Sequence, residues 1–180
     1  MKRFTFLAAL LLTAAVARSE TFDVGIRGTY TITPPKDWTI TSQAEEDSGL
    51  ALTLSPPAAI NASGIINLTF VPKDEPVTKD QVKDAVLALG EKFAEQSVEK
   101  KKELREFSTS QGYGYYCVFT DASLVGQPPK KDSFKVVAVG IIHVNDDLLA
   151  TVGISCDDEK GPDFAAVMAA LSSASFSPKK

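Results

Sequence analysis

Apolar and polar positions alternate with a period of two along much of this chain, and in two places the period lengthens to 3.6. Alternation sends successive side chains to opposite faces of a sheet, whereas apolar residues three and four apart line one side of a helix. Residues 30–41 read as a strand, a tight proline turn and a second extended run, with Trp38 just beyond the turn. Residues 50–54 and 65–71 follow as strands, joined by a loop that holds Pro56, Pro57, Asn61, Ser63 and Gly64. Proline fixes φ and removes a ladder donor, so Pro34-Pro35, Pro56-Pro57 and Pro128-Pro129 should end or join strands.

The period changes at Thr78, which with Gln81 has the spacing of a capping box. Val82, Ala85, Val86, Leu89 and Phe93 recur at three and four, while Lys83, Asp84, Glu91, Lys92 and Glu95 face away. That spacing predicts an amphipathic helix over 78–100, with Val82, Val86, Leu89 and Phe93 buried together against the sheet. Lys100, Lys101 and Lys102 close it, where cations suit the negative end of the helix dipole; the triplet also reads as a patch for an acidic partner. Residues 113–121 alternate again, with Tyr113, Tyr115, Cys117 and Phe119 on one face and Tyr116 and Val118 on the other. Residues 134–142 are apolar almost throughout, as in a central strand covered on both faces. A turn at 144–147 then returns the chain along 148–156 as a hairpin. Pro162 opens a second helix, whose buried stripe is Phe164, Val167, Met168 and Leu171. The fold class is α+β: a mainly antiparallel sheet flanked by helices in an α/β/α sandwich, in the order βββ-α-βββ-α.

The first residues depart from both periods. Lys2 and Arg3 precede an apolar stretch from Phe4 to Ala17, and Ala15-Val16-Ala17 fits the small-x-small pattern of signal peptidase. Residues 1–17 therefore read as a secretory signal peptide cut between Ala17 and Arg18, and residues 18–180 as one globular domain. The apolar stretch is shorter than the roughly 20 residues that span a bilayer, so a retained anchor is the weaker alternative. No later segment suits membrane insertion. The formal charge is −4, and loss of Lys2 and Arg3 makes it more negative. An acidic balance argues against nucleic acid or anionic lipid as the main partner.

The order of elements resembles the group of α/β/α sandwich domains that includes the PsbP proteins of photosystem II, the bacterial DcrB-like proteins and a eukaryotic Ran-binding nucleotide-release factor. Tyr30-Thr-Ile-Thr-Pro-Pro-Lys-Asp-Trp38 looks like that group's first strand running into a proline-x-x-tryptophan turn. The helix over 82–93, the strand entry Gly112-Tyr-Gly-Tyr-Tyr116 and a last short helix ending near Phe176 fit the same order. The resemblance implies a non-catalytic accessory or binding protein, and it carries no site residues across. A secretion signal and an acidic charge point to a periplasmic or secreted bacterial member rather than a plant one.

Chemistry-bearing residues are few. His143 is the single histidine, so a hydrolase would have to use it with a serine or cysteine nucleophile, yet no Gly-x-Ser-x-Gly elbow is present. Asp146-Asp147 and Asp157-Asp158-Glu159 are acidic clusters at opposite ends of one strand, roughly 30 Å apart if extended. They cannot share an ion, although Asp157, Asp158 and Glu159, with Asp163 nearby, leave a weak metal site as an alternative. Trp38 reads as a core residue. Tyr113, Tyr115, Tyr116 and His143 are the candidates for a ligand or partner surface, since tyrosine combines apolar area with a polar handle. Asn61 and Asn67 match the glycosylation acceptor pattern, Asn67 inside a strand. No cofactor motif is present. The reading is a non-enzymatic protein acting on an envelope protein or a small ligand, with a His143 hydrolase as the alternative.

Cys117 and Cys156 fall on the two strands flanking 134–142. Strands lie about 4.8 Å apart, so the outer two are separated by more than the ~7 Å a disulfide spans. Hairpin register predicts that the thiols face one another across residues 135–137, unbonded. The leader reading has its own check: mass spectrometry of exported protein should find Arg18 at the N-terminus, and intact Met1 on membrane-bound protein would replace the leader with an anchor.

Overall fold

The computed structural model describes residues 18–45, 49–72, 76–128 and 130–179. The predicted leader, with Ala17 of the predicted cleavage site, lies outside them, as does Pro129. In chain order the described elements are β1 (Glu20–Asp23), β2 (Gly28–Ile32), β3 (Thr39–Glu45), β4 (Gly49–Ser55), β5 (Ser63–Phe70), α1 (Lys79–Leu89), α2 (Glu91–Gln96), β6 (Arg105–Ser108), β7 (Tyr113–Thr120), β8 (Val136–Asn145), β9 (Leu148–Cys156), α3 (Pro162–Ser173) and β10 (Ser175–Pro178). One antiparallel sheet has the strand order β3-β4-β5-β9-β8-β7-β6, and a smaller one the order β1-β2-β10. The class is α+β, with antiparallel sheets flanked by helices. The order differs from the predicted one: five strands precede α1, four lie between α2 and α3, and one follows α3. The strands that alternation missed, β1, β6 and β10, are four residues each, too short for a period to show.

The large sheet is built on β8 and β9. On one face, Val136, Ala138, Ile142 and Val144 of β8 join Leu148, Ala150, Val152 and Ile154 of β9 under Phe164, Val167 and Leu171 of α3. Tyr30, Ile32 and Phe176 of the small sheet pack into the same core, as does Trp38. On the other face, Val82, Val86 and Ala94 of the first two helices cover Tyr115, Cys117, Phe119 and Ile141. Burying Val82 and Val86 stabilises the fold by roughly 2 kcal/mol each. β8 is thus covered on both sides as predicted, although it runs Val136–Asn145 rather than 134–142. Beyond β8 the helix-side face lies open, presenting Thr53, Ile65, Asn67 and Thr69 partly or fully to solvent.

Thr78 closes the predicted capping box, its backbone N–H donating to Gln81 Oε1 at 2.8 Å. The single predicted helix is two. Gly90 separates them, and the second ends at Gln96 rather than near residue 100. Phe119 requires a glycine there, since its ring lies so close that a Cβ on residue 90 would come within 2.9 Å of Cζ. The buried stripe consequently steps by four through Val82, Val86, Gly90 and Ala94. Leu89 and Phe93, expected in the core, lie beside that stripe and are each 40% exposed. Phe93 stacks on the outside of Phe119 instead, ring centroids 5.8 Å apart. Lys100 donates to the Glu95 carbonyl at 2.7 Å, satisfying an acceptor at the end of α2.

Both cysteines are free and buried. Cys117 lies opposite Val139 and Cys156 opposite Val136. Those positions on β8 differ by an odd number, so the thiols occupy opposite faces of the sheet and do not look at one another across 135–137 as hairpin register predicted.

Tyr30 sits at the centre of the small sheet, between Phe22 and Phe176 in register. It is fully buried, and its hydroxyl has no hydrogen-bond partner among the described residues. An unsatisfied buried hydroxyl costs about 1–3 kcal/mol. Tyr30→Phe should therefore raise the unfolding free energy in urea by about 1 kcal/mol. A loss of that size would show that the hydroxyl is bonded.

Candidate functional site

The register of β7 and β8 puts Tyr113 opposite His143 and Tyr115 opposite Ile141. The Tyr113 ring and the His143 imidazole stack nearly flat, 4.9 Å apart, and Tyr115 meets Tyr113 edge-on at 5.9 Å. Lys79 and Lys83, four apart on α1 and so on one side of it, place their Nζ atoms 4.8 Å from the Tyr113 centroid and 5.5 Å from that of Tyr115. Lys79 also approaches Glu106 at 3.9 Å, and Lys83 bonds Asp80 at 3.0 Å. The structure thus brings together Tyr113, Tyr115 and His143 of the predicted surface. The rings of Tyr113 and Tyr115, however, are engaged by one another, by His143 and by the two lysines of α1, so the ladder seats the helix on the sheet. Tyr116 points to the opposite face, against Phe107 and Phe164.

Among the described residues, no hydroxyl, thiol or carboxylate is hydrogen-bonded to the His143 side chain. Cys117 is on the same face but is paired four residues further along β8, roughly 13 Å away. Burial pushes the Cys117 thiol up and that of Cys156 up to about 11. The acids of the proposed metal alternative each have a separate partner. Asp157 accepts from Asn61 Nδ2 at 3.1 Å, Asp158 accepts from the Lys160 N–H at 2.9 Å, and Glu159 pairs with Arg105. No three His, Cys, Asp or Glu side chains converge among the described residues. Asn61 also donates to the Ser133 carbonyl and accepts from the Asp132 N–H, so its amide is a clamp between loops.

A concave surface lies at the far end of the small sheet. There Gly25-Ile26-Arg27-Gly28 turns the chain from β1 into β2, closed by the Val24 N–H on the Gly28 carbonyl at 2.8 Å. Gly25 and Gly28 have φ of +65° and +147°, which glycine adopts freely. A Cβ on residue 28 would also meet the Ser177 carbonyl oxygen at 2.2 Å, so glycine lets β10 close against the turn. Lys179 N–H then bonds the Arg27 carbonyl at 3.0 Å. This turn holds Ile26 outward, 90% exposed. It also lays the Arg27 guanidinium over the Phe70 ring, 4.4 Å from the centroid, with Phe70 in turn edge-on to Phe176.

Two hollows flank the Arg27–Phe70 pair. One, of about 410 Å³, is bounded by Val24, Ile26, Arg27, Leu50 and Phe70; the other, of about 270 Å³, by Ile26, Arg27, Phe70, Phe176 and Lys179. Asp23 borders the first and Asp147 the second. Arg27 has no carboxylate partner among the described residues. His143 and the tyrosines of the ladder line neither hollow. Arg27 and Phe70 belong to none of the histidine, tyrosine or acidic groupings in the sequence. The signal available was an apolar and a cationic residue bracketed by glycines, Gly25-Ile26-Arg27-Gly28, in a stretch without alternation. No family model, no curated protein and no solved structure matches the chain. No described helix is long and apolar enough to cross a membrane.

The buried thiols have a measurable consequence. Native protein at pH 8 should leave both cysteines unmodified by a thiol reagent, and denaturation should expose two. An unfolded thiol ionises near pH 9, whereas Cys156 keeps its proton up to about pH 11 and Tyr30 is shifted in the same direction. Between those values the unfolded chain binds fewer protons than the native one, so stability falls as pH rises through that window. A urea midpoint unchanged from pH 9 to 11 would place the thiol in contact with water.

Proposed function

We propose that this chain is a non-catalytic binding protein, exported to the periplasm or beyond, that takes a small amphipathic ligand with an anionic group at the Arg27–Phe70 cleft. The carrying observation is the Arg27 guanidinium, stacked on Phe70 between two hollows and without a carboxylate partner among the described residues. Stacking pre-orients the guanidinium and lowers its hydration, so an incoming carboxylate gains a charge-assisted, two-pronged hydrogen bond at reduced entropic cost. Ile26, Val24, Leu50 and Phe70 offer the apolar body of the ligand a surface, in hollows close to the size range of small-ligand sites. Asp23 at the rim disfavours a second negative charge on the ligand.

Membership of the α/β/α sandwich group that includes the PsbP and DcrB-like proteins is part of the same reading. It is supported by helices packed on both faces of an antiparallel sheet and by the run from Tyr30 to Trp38. An accessory or binding role is what that group implies, and the apolar leader supports export. The His143 hydrolase reading has no comparable observation behind it.

The binding reading is tested by thermal shift with octanoate and phenylbutyrate, and with octanamide as the uncharged control. A ligand at tenfold excess over its Kd stabilises by about 1.4 kcal/mol, which corresponds to roughly 3–5 °C for a chain of this size. The acids should raise Tm by that amount and the amide should not. Arg27→Met should remove the shift without lowering the Tm of the free protein by more than a degree or two. Failure of either acid to shift the native protein would overturn the proposal.

A further inference from the structure

We infer that the outer edge of β3 pairs antiparallel with the same edge of a second copy of this chain, joining two large sheets into one. Four strands border the two sheets: β1 and β10 on the small one, β3 and β6 on the large one. An exposed edge is a template for another strand, and sheets guard their edges with short length, charge, proline or bulges. Three of these borders are guarded. β1 has four residues including Glu20 and Asp23, and β10 has four and ends in Pro178. β6 has four, with Arg105 paired to Glu159 and Glu106 near Lys79.

β3 carries only one of these devices, the charge of Glu45 at its last position. It is seven residues long and pairs with β4 in seven consecutive register positions without a bulge. Thr39 to Ala44 contain no charge and no proline, and all but Ile40 are exposed. Away from β4, this strand has no ladder partner among the described residues.

The occupant follows from charge and self-complementarity. A chain with a net charge of −4 repels its copies, and they approach at least cost where both surfaces are neutral. Pairing β3 with β6 would set a neutral strand against a short charged one and leave edges open for a filament, whereas β3 with β3 is two-fold and closes at the dimer. The full-length antiparallel register is centred on Ser42, which faces its own copy. It sets Ile40 opposite Ala44 on the core-side face and Thr41 opposite Gln43 on the open face. Ile40 already packs on the main core, so the joint continues that apolar face across the two-fold axis.

Sedimentation velocity on the purified protein from 5 to 500 µM tests this, with a dimer expected at the upper end. Thr41→Lys with Gln43→Lys places lysine against lysine twice across the joint and should raise the dimer Kd at least tenfold. Thr41→Glu with Gln43→Lys places opposite charges there and should restore dimerisation, with circular dichroism and melting showing that both variants stay folded. Register is read by oxidation. Ser42→Cys should form a disulfide-linked dimer, whereas Thr39→Cys should not, because the two copies of position 39 lie roughly 20 Å apart in this pairing. A native protein that stays monomeric throughout, or equal cross-linking at positions 42 and 39, would overturn the inference and leave the edge to a strand from another chain.

Discussion

The large sheet is arranged around one strand, β8, that must be covered from both sides. β8 and β9 sit in the middle of the large sheet, and β8 feeds alternate side chains into two separate cores. A strand in that position has no face to give to water, and its backbone is satisfied only if both neighbours pair with it fully. The chain meets this demand unequally. α3 and the small sheet form a broad lid on one face, while α1 and α2 cover only β7 and β8 on the other. The narrowness of that second cover explains the aromatic ladder. A short helix over a few strands needs anchoring, and Lys79 and Lys83 lie over Tyr113 and Tyr115 at its first turns while Phe119 fits against Gly90 at its end.

The consequence for function is that the residues richest in chemical possibility are engaged in packing. Tyr113 and Tyr115 are engaged by one another, by His143 and by the lysines of α1, and Tyr116 belongs to the α3 side. The concave surface arises instead from topology. The turn into β2, the start of β4, the ends of β5 and β10 and the β8–β9 turn come together there, and Arg27 and Phe70 are contributed by two of them. Each segment is unremarkable alone, and their meeting gives one cation a flat aromatic support and an apolar surround.

Legibility from sequence followed the range of the interaction concerned. The capping box at Thr78 and Gln81, Pro162 at the start of α3, the alternation of β7 and the β8–β9 hairpin depend on neighbours in the chain, and all could be read there. The helix stripe could not. Val82, Val86, Leu89 and Phe93 satisfy a helical period equally well as a buried or a half-exposed set, and the choice between them rests on distant sheet residues such as Phe119. The cysteines show the same limit at finer scale. Their strands were readable, but a small offset along β8 separated the expected facing pair from thiols on opposite sides of the sheet. The cleft was least legible, because no local pattern states that residues 27 and 70 will touch.

The small sheet adds a property of a different kind. β2 lies between the first strand of the described chain and the last, so Tyr30 acquires Phe176 as its neighbour only when residues 175–178 arrive. The main core likewise waits for Phe164, Val167 and Leu171. Contacts of such long sequence separation form late and give a high contact order. A growing chain therefore exposes its sheet faces until its final segment is made and cannot lock shut early. Under the export proposed above, this delay would serve transit: the fold that would block passage through a narrow translocation channel is the one that the chain is last able to complete.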